Sequence, residues 1–282
     1  NNYFIMGFET KQDVLNWYEK QPRTLTPEFI SNIPWNKVRR FPIDKKLIPV
    51  LLYMRDVEAL TDMYYEELRR TPTGKDKVIS KFMERWGVEE VTHGETLDRF
   101  LNEAGIETSK TWKTDVRQNV SKFYTLNTRI ITTLTNLIGK KFTATHMTFG
   151  AIHEMSTGQG YRRLMKMADH PVLSQILTAI MREESAHTKF YVSIAKLELQ
   201  KSSFARKVSR FIVNNFWAPV GQGAKPKVQT NYTISTLFSG SEGMDWIERN
   251  VSQKIQALPG FKGLNTISER IGKIVLPRVL AS

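Results

Sequence analysis

No cysteine occurs in the 282 residues of this chain. That absence excludes disulfides, thiolate zinc sites, iron–sulfur ligation and cysteine nucleophiles within it, so any metal site must be built from nitrogen and oxygen ligands. No stretch approaches the roughly 18 consecutive apolar residues of a membrane-spanning helix, and the chain reads as soluble with no membrane span. Repeats at a solenoid period and low-complexity segments are also missing. Zinc-finger spacings and RNA-recognition signatures are absent as well, so nucleic acid is not an expected partner. Histidine is scarce, with only five residues.

Acidic residues are the minority charge. The net charge is +13, and residues 201–282 carry 12 Lys and Arg against 4 Asp and Glu. A field of this sign favours an acidic partner.

Two of the five histidines share one pattern. Glu90-Val91-Thr92-His93 and Glu184-Ser185-Ala186-His187 are both Glu-x-x-His units. On a helix, i and i+3 lie one turn apart on the same face. Helical bundles that project two such units inward, with one more Glu from each of two further helices, cage a pair of iron or manganese ions.

Hydrophobic periodicity supplies the helices. Residues 1–45 are cut by Pro22, Pro27, Pro34 and Pro42 into short helices and loops. Helices are predicted over about 46–70, ended by Thr71-Pro72-Thr73-Gly74, and over 76–104, ended by Gly105. Further helices are predicted over 109–137, 143–168 and, after the turn Asp169-His170-Pro171, 172–200. Beyond Ser202 come a shorter amphipathic stretch, a Gly/Pro/Lys loop from Pro219 to Lys227, and a less regular tail that has room for a hairpin. The expected fold class is all-α. A four-helix bundle core with extra helices spans 46–200, and a basic, less regular appendage over 201–282 packs on it.

Both units interrupt apolar stripes. One stripe reads Ile79, Phe82, Trp86, Glu90, His93, Leu97, Leu101, and the other Leu173, Ile176, Ile180, Glu184, His187, Tyr191, Ile194. A buried carboxylate is costly unless it is paired or binds a metal. Two further carboxylates complete a cage: Glu58, on the apolar stripe of the first long helix 32 residues before Glu90, and Glu154, 30 residues before Glu184. Near-equal offsets suit two antiparallel hairpins with all ligands at one level. The candidate ligand set is therefore Glu58, Glu90, His93, Glu154, Glu184 and His187, whose oxygen and imidazole donors suit two Fe ions or Mn. Glu66, Glu67, Glu89 and Glu183 fall off the stripes and are read as solvated or as lying behind the ligands. His146, His153 and His170 lack a partner and are read as non-ligands. On these residues alone a metal-free helical protein, an iron-storage cage and a ribonucleotide-reductase-like radical subunit stay open, the last using Tyr65, Tyr161 or Tyr191. So does a hydroxylase or N-oxygenase.

The motifs resemble those of the soluble acyl–acyl-carrier-protein desaturases, a ferritin-like diiron family. Trp86-Gly87-Val88-Glu89-Glu90-Val91-Thr92-His93-Gly94 is similar to that family's Trp…Glu-Glu-Asn-Arg-His-Gly, and Arg182-Glu183-Glu184-Ser185-Ala186-His187 to its Asp-Glu-Lys-Arg-His. Leu51 to Tyr64 is similar to the first ligand helix, and Glu154-Met155-Ser156-Thr157 to the fourth. The resemblance covers about residues 46–200. Val91-Thr92 stands where the family has Asn-Arg, Ser185-Ala186 where it has Lys-Arg, and Glu183 where it has Asp. The resemblance implies a diiron enzyme that uses O2 as co-substrate to place a cis double bond in a saturated acyl chain on acyl carrier protein. It also implies a ferredoxin-like electron donor, a homodimer, and a cytoplasmic location, or the plastid stroma where a transit peptide has been removed. Thr157 would sit beside the oxygen site. Gly158 and Gly160 would give room for the chain or permit close helix packing, and Trp86 would be a core aromatic or lie on an electron-entry path.

Overall fold

The computed structural model describes residues 7–120 and 135–279. Helices α1 (Lys11–Glu19) and α2 (Pro27–Asn32) are followed by 3-10 turns at Trp35–Arg40 and Lys45–Leu47. Then come α3 (Ile48–Arg69), α4 (Lys77–Glu103) and the short α5 (Trp112–Gln118). After a 3-10 turn at Gly139–Phe142 the chain forms α6 (Thr143–Ala168), α7 (Pro171–Lys201) and α8 (Ser203–Phe216). It ends in α9 (Lys227–Phe238), α10 (Gly240–Ile247), a π-helical turn at Glu248–Ser252, α11 (Gln253–Gln256) and α12 (Thr266–Val279). No strand occurs among the described residues, and the chain is all-α with a four-helix bundle of α3, α4, α6 and α7 at its centre. No helix among them is long and apolar enough to cross a membrane.

Local chemistry marks the helix boundaries. The Asp76 carboxylate accepts from Val78 N and Ile79 N and so caps α4. Between α6 and α7, Asp169 takes a left-handed φ of 43°, a conformation Asp tolerates better than most residues. His170 then accepts from Leu173 N with its Nδ1, and Pro171 opens α7. The predicted turn at Asp169-His170-Pro171 is thus a left-handed stop followed at once by a cap.

Helices α3 and α4 form one antiparallel hairpin and α6 and α7 the other, and α4 packs on α7 across the core. Two glycines allow close approach. A Cβ on Gly94 of α4 would lie 3.2 Å from Glu58 Cβ on α3, so its absence lets these two turns touch. On α6, a Cβ at Gly150 would come within 2.2 Å of the Tyr191 ring on α7.

Two expectations are corrected. The helix predicted over 109–137 begins at Trp112, and its first described part stops at Gln118, with Asn119 as its C-cap; residues 121–134 of it lie outside the described residues. The hairpin allowed for in the tail is not formed by the described residues. That region is helical, and only an isolated bridge joins Gln222 and Lys225. The apolar faces of α9 and α12 pack on one another and α9 packs on α3, which gives the weakly periodic tail sequence a helical partner.

Gly150→Ala tests the tight α6–α7 contact. We expect a loss of about 1–3 kcal/mol in denaturant unfolding, the usual cost of overpacking. Tyr191→Leu in the same chain should recover part of it.

Candidate metal centre

The two hairpins bring all six predicted residues to one level inside the bundle. Glu58 comes from α3, Glu90 and His93 from α4, Glu154 from α6, and Glu184 and His187 from α7. All six are buried, and both histidines have no solvent exposure. They fall into two overlapping groups whose donor atoms lie within 4.8 Å of one another: Glu58, Glu90, His93 and Glu184, and Glu90, Glu154, Glu184 and His187. Glu90 and Glu184 belong to both. The arrangement therefore has two shared carboxylates in the middle and one Glu with one His at each end.

Both imidazoles turn Nδ1 inward. His93 Nδ1 is 3.6 Å from Glu90 Oε1, 3.4 Å from Glu184 Oε1 and 3.8 Å from Glu58 Oε2. His187 Nδ1 is 3.1 Å from Glu90 Oε1 and 3.4 Å from Glu154 Oε2. Their outward nitrogens reach across to the opposite helix. His93 Nε2 donates to Glu183 Oε2 on α7 at 3.0 Å, and His187 Nε2 donates to Glu89 Oε2 on α4 at 2.7 Å. The Glu-Glu-x-x-His segments are thus crossed, each first Glu serving the other segment's histidine.

Off the apolar stripes, Glu89 and Glu183 are expected to be solvated or to lie behind the ligands. Both are buried, and each has its own support. Glu89 accepts from Tyr18 Oη at 2.6 Å and Arg85 Nε at 2.7 Å. Glu183 accepts from the backbone N–H groups of Thr24 and Leu25 at 2.6 and 3.1 Å. The doubled acidic residue before each x-x-His was the available signal, but no periodicity says that the pairing crosses helices. Two further supports were missed. Tyr161 donates to Glu58, and Trp86 Nε1 donates to Glu154 Oε1 at 3.0 Å. Trp86 is therefore a core aromatic that also orients a carboxylate.

The electrostatics fit a cation at the centre. Burial, followed by the charges of Glu58 and Glu154, pushes Glu90 up to about 8. Burial and the charges of Glu90 and Glu154 drive Glu184 well above the carboxylate range. Burial acts to lower both histidines, but the surrounding carboxylates raise them well above their ordinary value. Nine buried side-chain polar atoms among the described residues lack a hydrogen-bond partner. Five are here: Glu90 Oε1, His93 Nδ1, both Glu184 carboxylate oxygens and His187 Nδ1. Unpartnered carboxylate oxygens and inward-facing imidazole nitrogens gathered at one point form the donor set that a metal ion would take up on displacing any protons they hold. The carboxylate and imidazole donors fit iron or manganese.

The remaining predicted positions lie elsewhere. Thr157, one turn beyond Glu154, lies outside both ligand groups and lines an apolar cavity of about 70 Å³ with Tyr53, Met54, Val57, Gly160 and Leu237. Gly158 faces Glu184, whose Cβ would be 3.8 Å from an added Cβ. His146 and His170 bond Thr73 Oγ1 and the Val38 carbonyl, and His153 lies outside both groups. Glu66 is exposed, and Glu67 pairs with Arg70.

The sequence profile of a family described as fatty acid desaturase matches residues 58–217, more than half of the chain, and the chain belongs to that family. No curated protein matches it. Among solved structures it is similar to the X-ray structure of DesA2 from Mycobacterium tuberculosis, a provisionally assigned acyl-ACP desaturase. The identity is 13%, over 95% of this chain and 92% of that one, with a TM-score of 0.49.

The outer carboxylates give a stability prediction. Burial acts to raise Glu89 and Glu183, but hydrogen bonds and charge from the histidines outweigh it and hold both down to about 2. A depressed carboxylate stabilises the fold above its unfolded value of about 4.5 and loses that contribution as pH falls towards about 2. Denaturant titrations of the metal-free protein should show this loss. Glu183→Gln should be less stable at neutral pH and lose less on acidification.

Proposed function

We propose that the chain is an O2-dependent desaturase that places a cis double bond in a saturated fatty acyl chain carried on acyl carrier protein. The crossed Glu and His cage, with its five orphaned ligand atoms and two carboxylates common to both halves, is the observation that carries this reading. Family membership favours it over iron storage or a radical-bearing reductase subunit.

Glu58 and His93 would hold one iron ion, Glu154 and His187 the other, and Glu90 and Glu184 both. A bound iron pair supplies the two-electron oxidation of adjacent CH2 groups, with O2 and two further electrons and protons giving water. The chain's own groups orient and enclose. Glu183 and Glu89 fix the ring orientation of the histidines and keep Nδ1 aimed inward. Tyr161 and Trp86 do the same for the two end carboxylates.

The apolar cavity beside Thr157 offers a dry wall suited to a hydrocarbon chain, with Gly160 leaving room near Met54. Thr157, one turn from Glu154, lines that wall and would lie beside a bound chain. The charge of +13 suits an acidic carrier and an acidic ferredoxin-like electron donor, whose encounter it would speed.

Iron reconstitution followed by metal analysis should find two irons per chain, and Glu90→Ala and His187→Ala should each lower that content. With a reducing system and a panel of saturated acyl carriers, the wild type should release a cis-unsaturated product and Glu90→Ala should lose turnover by at least about 100-fold. Hydroxylated product would replace the desaturase reading with an oxygenase. An iron content below one per chain would sink the metal-dependent reading altogether.

A further inference from the structure

Arg23, in the segment between α1 and α2, lies outside every motif that defines the cage. Its Nε is 3.3 Å from Glu89 Oε1 and 3.5 Å from Glu183 Oε1, the two carboxylates that receive the outward nitrogens of the histidines. That Nε is buried and makes no hydrogen bond of its own, while Nη2 donates to Thr92 Oγ1 at 3.5 Å. The guanidinium therefore spans the crossed pairs without belonging to either. Thr92 itself stands on α4 between Glu89 and His93.

The two carboxylates depend on it unequally. Glu89 has a second cation, Arg85, at 2.7 Å. Among the described residues, Glu183 pairs with no cation other than Arg23 and His93.

We propose that Arg23 is a positioning residue for both histidines, and that its charge holds the metal pair in a more easily reduced condition. This rests on the metal-binding reading above. A carboxylate with no cation beside it pulls harder on the imidazole N–H, and the ring becomes a stronger donor to its metal. Stronger donation and a more negative surrounding both favour the oxidised ion. Arg23 opposes both effects at the two ends together, and at the His93 end it has no substitute. A reaction that begins by reducing the pair needs that opposition.

The wild type is first loaded with iron; a chain that takes up no metal pair overturns the proposed function itself, before any variant is made. In the loaded protein, Arg23→Gln should move the midpoint potential to more negative values, by about tenfold in the reduction constant or ~59 mV for one electron. Arg23→Lys should restore most of it. In the zinc-loaded protein, proton NMR should show both ring N–H signals shifted downfield by Arg23→Gln, His93 more than His187. Arg85→Gln should shift His187 alone. A purely structural role would not produce that division. An unchanged or more positive potential, or ring signals that respond alike to Arg23 and Arg85, would overturn the assignment. If Arg23→Gln does not fold, Arg23→His serves, its ring losing its charge over a pH range that NMR of that ring reads directly. Its potential should fall more steeply over that range than the wild type's, and parallel slopes overturn the proposal.

Discussion

Four carboxylates lie buried within a few ångströms of one another at the centre of the bundle, and the two in the middle, Glu90 and Glu184, resist ionisation. The raised values of Glu90 and Glu184 express that conflict. Hydrogen bonds within the protein do not remove it, because acceptors outnumber donors at the centre and five polar atoms stay unpartnered. Two divalent cations would remove it. The rest of the site follows from holding this charge in place until cations arrive: long helices, a glycine where α3 meets α4, and hydrogen-bond donors behind the carboxylates.

The crossing of the Glu–His pairs turns two hairpins into one unit. His93 leans on Glu183 of the other hairpin and His187 on Glu89, so neither histidine can reorient while α4 and α7 keep their register. The N-terminal segment closes the same arrangement through Tyr18, Arg23 and the backbone of Thr24 and Leu25. What reads in sequence as a mixed leader of short helices thus becomes the outer wall of the candidate metal centre. The apolar cavity lies on another side, between α3, α6 and the C-terminal helices. Charge and hydrocarbon are in this way kept to separate walls.

Much of this was legible before the fold was known. The stripes around Glu90 and Glu184 share a period of 3.6, and the four bundle helices, unlike the one predicted over 109–137, came within a residue or two of their observed ends. Matching offsets put Glu58 and Glu154 at the level of the Glu-x-x-His units. Other features were not legible. Glu89 and Glu183 stand beside true stripe residues, but their partners lie 98 and 90 residues away, and no local period encodes such a contact. Tyr161, Trp86 and Arg23 reach the site by side-chain length and rotamer. In the tail, weak periodicity left the choice between helix and hairpin open, and packing against α3 settled it. Thr157 was placed by likeness to a motif, and the structure adds that it borders the apolar cavity.

The sequence by itself determined the helical period and the level at which Glu58, Glu90, His93, Glu154, Glu184 and His187 meet in the bundle, because spacing along a helix is a property of the backbone alone. It also excluded disulfide and thiolate chemistry within this chain, through the missing cysteines. The tertiary structure decided which carboxylate faces which histidine, which groups satisfy the outer nitrogens, and where the apolar cavity opens. Those choices depend on how two hairpins cross, and on burial that turns a solvated charge into one that must be paired.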